Sequence, residues 1–238
     1  MTDALYLEDS TARRFEARVE RTLDDRVVLD RTHFYPEGGG QPADHGTLSD
    51  GERTLDVTDV QKRDTVYHHV DGEPPAEGTT VTGELDWERR HAHMRYHTAQ
   101  HLLSAVLLEL FDARTVGNQL YHDRARIDAA HDRFTETDLA DIAARVNDLV
   151  DRGLAVDWYT MDRERAEREL DTDRTRIDLL PDSITELRIV EIGEEPFDRT
   201  ACAGTHVRST AEVGEFVPTG RTTGGSDTER LSFVLEAP

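Results

Sequence analysis

The period of the hydrophobic pattern changes at Trp87, and that change constrains the architecture more than any other feature of the chain. Ahead of it, residues 3–9, 14–22, 26–30 and 54–60 carry short alternating or β-branched runs, broken by Asp24-Asp25, Ser49-Asp50-Gly51 and Asp71-Gly72-Glu73-Pro74-Pro75. Alternation at period two serves the two faces of a strand, and runs punctuated by turn residues make sheets. Residues 81–87 read as one more strand, and 72–78 as a turn within the same unit. The expectation is an all-β region of about eighty-five residues closed as a small barrel. Behind Trp87 the apolar positions follow a helical spacing, and Leu102, Leu103, Ala105, Val106, Leu107, Leu110 and Phe111 read as a buried helix. A second helix is expected over 134–152, capped by Thr135 or Thr137 and stopped by Gly153. A short charged helix follows over 162–170. Strands are expected over 115–120, 124–128, 156–159, 187–192, 213–217 and 230–235, the last two joined by a polar loop over 220–227. The fold class is therefore α+β. A small N-terminal β-barrel subdomain spans 1–87, and a two-layer domain over 88–238 has helices on one face of a mainly antiparallel sheet.

Three stretches carry chemistry. Gly38-Gly39-Gly40 can hold neither a helix nor a strand interior, so it is a loop whose backbone N–H groups are open to approach, followed by Gln41 and Asp44. On the long helix, His97 and His101 are four residues apart, which puts them on one face about 5–6 Å apart at Cβ. Cys202, the only cysteine, has His206 four residues further on, in a loop containing Gly204. Three imidazoles and a thiolate form a donor set that selects zinc over magnesium or calcium. Each half has a plainer reading: histidines at this spacing also pack in cores, and a lone Cys with a His is also a nucleophile signature.

The charge balance narrows the partners. Asp and Glu number 50 against 28 Lys plus Arg, a formal net charge of −22, and Lys62 is the only lysine. Phosphate contacts come from Lys and Arg, so a DNA binder is not expected. The excess of acid and the scarcity of lysine fit a protein of concentrated salt, where a Debye length of about 3 Å screens repulsion from RNA. Arg89, Arg90 and Arg95 oppose the dipole at the start of the long helix, and carboxylates are their default partners. No run of eighteen apolar residues and no leader pattern is present, so a soluble cytoplasmic protein without a membrane partner is expected. A single cysteine fits a reducing compartment.

Asp86-Trp87-Glu88-Arg89-Arg90, the run from Met94 to Leu103, and Cys202-Ala203-Gly204-Thr205-His206-Val207 together resemble the editing domain of alanyl-tRNA synthetases and the freestanding AlaX proteins. The stretch from Gly38 to Asp44 resembles the glycine-rich motif of the medium-length AlaX class, so the resemblance spans nearly the whole chain. It implies a trans-acting hydrolase that cleaves serine, and in some members glycine, from mischarged alanine tRNA. It also implies that His97, His101, Cys202 and His206 are the catalytic residues and the ligands of Zn2+. Gly39, Gly40, Gln41 and Asp44 would face the substrate. Thr115, where the family typically has Thr, would read the substrate side chain with its hydroxyl. Gln119, where the family often has His, would also belong to the substrate-binding residues, and this departure tells against a histidine-based role there. Four protein ligands resemble a closed structural site, whereas hydrolytic zinc sites keep a position open. Either one ligand yields, His206 being the candidate, or the ion takes the substrate's amino group. Two other readings stay open: a zinc-containing tRNA-binding accessory protein without hydrolytic activity, and a cysteine-dependent esterase. At 238 residues a full synthetase with an aminoacylation domain is not expected.

Overall fold

A computed structural model of the chain describes residues 1–171, 175, 177, 180–194, 197–225 and 227–237. The chain divides into two compact units, Met1–Met94 and Arg95–Pro238.

The first unit contains β1 (Asp3–Ala4), β2 (Arg14–Thr22), β3 (Arg26–Leu29), β4 (Arg31–Thr32), β5 (Gly46–Ser49), β6 (Thr54–Lys62), β7 (Val66–Val70) and β8 (Thr80–Leu85). The order β2-β3-β7-β6-β5-β8 closes as an antiparallel barrel, β8 pairing back onto β2. Alternation sends Phe15, Ala17 and Val19 of β2 inward to meet Val27, Leu29, Leu48, Val57, Val60, Val66 and Val81. Gly83 lies opposite Phe15, and a Cβ there would sit 2.5 Å from the Phe15 ring, so the ring occupies the space that the missing side chain leaves. Residues 3–9, expected as a strand, supply only β1 before a 3-10 turn at Leu5–Leu7, because the parallel partner β4 ends at Thr32 and offers no further ladder. β5 and β7 escape the alternation reading, being short and rich in Thr, Ser and His.

The helix α1 runs Trp87–Phe111, and its residues from Arg95 onward belong to the second unit. There follow β9 (Thr115–Leu120), β10 (Ala125–Ala129), α2 (Glu136–Asp151), β11 (Val156–Asp162), α3 (Arg163–Glu169), β12 (Glu186–Ile192), β13 (Asp198–Ala201), β14 (Phe216–Thr223) and β15 (Glu229–Leu235). The strands form two antiparallel sheets, β14-β15-β10-β9 and β11-β12-β13. α1 is buried on several sides: Tyr96, Ala99, Leu102, Leu103, Val106 and Leu107 are all covered. Leu110, expected in the buried run, is instead 43 % exposed near the helix end. α2 starts in a capping box in which Thr135 Oγ1 accepts from Asp138 N and Asp138 Oδ2 accepts from Thr135 N. Gly153, at φ +58°, takes the left-handed conformation that follows the helix. The strand expected over 213–217 begins at Phe216, and β14 continues to Thr223, so the loop before β15 is shorter than 220–227; residue 226 lies outside the described residues. Among the described residues no helix is long and apolar enough to cross a membrane.

Candidate metal centre

Two local periodicities, both in the second unit, build the centre. α1 turns His97 and His101 to one face, four residues apart. β13 is extended, so Asp198 and Thr200 share a face. Cys202 lies two residues beyond Thr200, and the β12 ladder continues to it because Cys202 N donates to Arg188 O at 3.0 Å. Arg188 Nη1 then donates to the carbonyls of Cys202 at 2.8 Å and Gly204 at 2.9 Å, which fixes the loop carrying the thiol and, two residues on, His206. The guanidinium of Arg188 rests 4.8 Å from the centre of the Trp158 ring.

His97, His101, Cys202 and His206 each present one donor atom, and these atoms all lie within 4.8 Å of one another. Cys202 Sγ is 3.5 Å from His97 Nε2 and 3.4 Å from His206 Nε2. A tetrahedral ion with a metal–sulfur bond of about 2.3 Å and metal–nitrogen bonds of about 2.0–2.1 Å sets sulfur and nitrogen about 3.5 Å apart. Those two separations therefore fit a metal ion, and His101 stands within the same cluster. The far sides of two rings are held: Asp198 Oδ2 is 2.6 Å from His101 Nδ1, Thr200 Oγ1 is 3.2 Å from the same nitrogen, and Thr98 Oγ1 is 3.2 Å from His206 Nδ1. With Nδ1 engaged outward, each of these rings turns Nε2 towards the thiol.

The electrostatics agree with a ligand set. Burial alone would raise the Cys202 thiol, but the charge of His97 and hydrogen bonds from His101 and His206 outweigh it and hold the thiol well below its ordinary value. Burial, and then the charge of His97, push His206 well below the ordinary imidazole range, so it is neutral and keeps its lone pair. For His101 burial opposes the cation, yet the hydrogen bond with Asp198, followed by the contact with Cys202, lifts it to about 10.

The other expected residues divide. Thr115 reaches α1, its Oγ1 lying 2.8 Å from Ser104 Oγ, and Ser104 is three residues past His101 on the helix. Asn118, not Gln119, also meets α1, donating to Gln100 Oε1 at 3.0 Å. The cause is a register shift in the β9–β10 ladder: Thr115 pairs with Ala129 and Gly117 with Asp128, so Val116 is extra and the alternation changes phase. Gln119 consequently points to the opposite face from Asn118, and its amide donates to Leu120 O at 3.2 Å. In the first unit, Gly38 and Gln41 exchange backbone hydrogen bonds, and Gly39 and Gly40 have φ of +59° and +84°, the conformation glycine favours. Gly39 is exposed, whereas Gln41 and Asp44 are fully buried. Asp44 accepts from Tyr35 N at 2.7 Å and pairs with Arg90, so it holds the loop together.

Sequence reasoning overlooked Asp198, Thr200, Thr98, Ser104, Asn118 and Arg188. The one local signal was the spacing Asp-x-Thr-x-Cys at 198–202, which puts three polar side chains on one strand face.

Comparison with known proteins follows the same division. Residues 4–89 match the family described as tRNA synthetases class II (A), and residues 187–231 match the threonyl and alanyl tRNA synthetase second additional domain. The chain is 39 % identical over 243 residues to the alanyl-tRNA editing protein AlaX-M of Methanosarcina barkeri, covering 99 % of each chain. It is 37 % identical to the AlaX-M protein of Methanosarcina acetivorans, again over 99 % of both. It is also 38 % identical to the alanine–tRNA ligase of Pyrococcus abyssi, over 90 % of this chain and 23 % of the ligase.

Proposed function

Because the chain belongs to the AlaX-M family of alanyl-tRNA editing proteins, we propose that it is a trans-editing hydrolase that removes serine or glycine from mischarged alanine tRNA at a zinc site formed by His97, His101, Cys202 and His206. The observation that carries this reading is the convergence of imidazole nitrogens and one thiolate at the spacing of a tetrahedral ion. When bound, zinc supplies Lewis acidity toward the ester or toward water. In the reaction, a water oxygen bonds to the ester carbonyl carbon and the bond from that carbon to the ribose oxygen breaks. The ribose oxygen leaves with a proton, and the free amino acid departs. An ester is an activated acyl group, so positioning supplies much of what the step needs.

Selectivity falls to the chain's own hydroxyls. Thr115, paired with Ser104 beside α1, offers an oxygen to the serine hydroxyl. Alanine has no such group and would leave that polar site unsatisfied, the mechanism by which hydrogen-bonding pockets reject a smaller analogue. In the glycine-rich loop, the exposed Gly39 and its neighbour Gly40 are the parts that would face a ligand, while buried Asp44 holds the loop. The acidic, lysine-poor surface is read as an adaptation to concentrated salt.

The test is incubation of seryl-, glycyl- and alanyl-tRNA with the purified protein in high salt, with and without a zinc chelator. Loss of seryl-tRNA turnover on chelation, restored by added zinc, is the expected result. Undiminished turnover after full metal removal would shift the chemistry to the Cys202 thiolate. A zinc-loaded protein that left seryl-tRNA intact would make it a binding accessory.

A further inference from the structure

Resting on that reading of the metal centre, we infer that Asp198 is a positioning residue that locks His101 in the ligating orientation and balances the charge of a bound dication. Asp198 is only 1 % exposed, and its Oδ2 lies 2.6 Å from His101 Nδ1. Thr200 Oγ1 stands 3.2 Å from the same nitrogen and donates to Asp198 Oδ2 at 3.5 Å, so a carboxylate and a hydroxyl hold one edge of the ring. The bond fixes the proton on Nδ1 and leaves the Nε2 lone pair for the ion, and a carboxylate partner also raises the basicity of a ligating imidazole. The strand makes this arrangement economical. Asp198, Thr200 and Cys202 recur at period two, so one extended segment presents carboxylate, hydroxyl and thiolate to the same helix.

Charge completes the case. A buried anion is costly unless compensated. Here the thiolate of Cys202 and the carboxylate of Asp198 carry two negative charges, which a dication held by the imidazoles and the thiolate would offset. The corresponding ring on the other side of the cluster, His206, is backed by the neutral hydroxyl of Thr98 at 3.2 Å. The two imidazoles are therefore supported unequally, and removing the charged support has the larger effect.

The experiment measures zinc affinity by chelator competition, and the visible spectrum of the cobalt-substituted protein, for the wild type, Asp198→Asn and Thr98→Val. Asp198→Asn is expected to weaken zinc binding by about 10–100-fold and to alter the cobalt d–d bands while keeping the thiolate-to-cobalt charge-transfer band. Thr98→Val is expected to change affinity less. Zinc affinity in Asp198→Asn within twofold of the wild type, with an unaltered cobalt spectrum, overturns the inference and leaves the metal centre standing. Failure of the wild type to bind either ion overturns the metal-centre reading and this inference with it. Should Asp198→Asn not fold, Asp198→Glu carries the test: it keeps the charge but displaces the oxygen by one methylene, so altered d–d bands are expected and an unchanged spectrum and affinity would overturn the assignment.

Discussion

Arg90 with Asp44 in the first unit, and the four-residue cluster in the second, are both buried polar groups, yet they balance their charge in opposite ways. Arg90 and Asp44 are each fully buried. Arg90 Nε lies 3.1 and 3.0 Å from the two Asp44 oxygens, Nη1 donates to Ser10 O at 2.9 Å, and Nη2 donates to Asp44 and to His33 O. Donors face acceptors, and one positive charge meets one negative charge. At the candidate metal centre, Cys202 Sγ and the Nε2 atoms of His97 and His206 are all electron-pair donors, and they face one another. Such a set is satisfied by a proton or by a cation brought from outside. Burial alone therefore does not mark a site; the mismatch between donors and acceptors does.

Four experiments break or sharpen this contrast. The largest effect is expected from Cys202→Ser: seryl-tRNA deacylation should fall by about a thousandfold or more, equivalent to about 4 kcal/mol of lost transition-state stabilisation, with zinc content falling well below one per chain by elemental analysis. Near-normal turnover and metal content would place the cluster with the self-contained pair. Next, Arg90→Met leaves Asp44 buried without its partner and should cost about 3–5 kcal/mol in denaturant unfolding of the full chain. Replacing both, as Arg90→Met with Asp44→Leu, should cost far less. Equal costs for the single and double variants would show that the two charges do not compensate each other.

A third buried imidazole gives a smaller, pH-dependent effect. His68 of β7 is fully buried, with Nε2 2.8 Å from Thr32 Oγ1, and burial lowers its pKa from 6.5 to about 4. A group depressed in the folded state contributes stability that is present above the unfolded pKa and is lost as pH falls through the folded value. From pH 6.5 down to about 4 the barrel should lose about 3 kcal/mol on this account. Unfolding midpoints of the wild type and His68→Asn across that window check it: the variant's stability should fall less steeply, and parallel curves would refute the neutral-histidine account. The smallest effect is expected from Thr115→Val, which should reduce seryl-tRNA turnover about tenfold, about 1.4 kcal/mol, with zinc content unchanged. An equal loss with alanyl-tRNA would count against a selective hydroxyl.

Long periodic segments are legible because the backbone imposes their period locally. Thus α1, α2, β2 and the barrel follow from spacing, cap residues and turns, and the pairing of His97 with His101 follows from the helical turn. Four-residue β13 is too short for its period-two spacing to stand out from chance, so Asp198 and Thr200 went unread. The extra residue in β9 reverses the faces of Asn118 and Gln119, and nothing in Thr115-Val116-Gly117 announces it. The partner of Arg90 lies 46 residues away in a loop.

What the amino-acid order determined by itself is the supply: one thiol, histidines at four-residue spacing, two kinds of periodicity, and a glycine run that must be a loop. Which donors meet, which ring rests on a carboxylate and which charge is cancelled inside the protein were decided only by the tertiary structure. The reason is physical: local geometry depends on neighbouring dihedrals, whereas the encounter of α1 with the β13 loop depends on burying both segments at once, a condition that no short stretch of sequence contains.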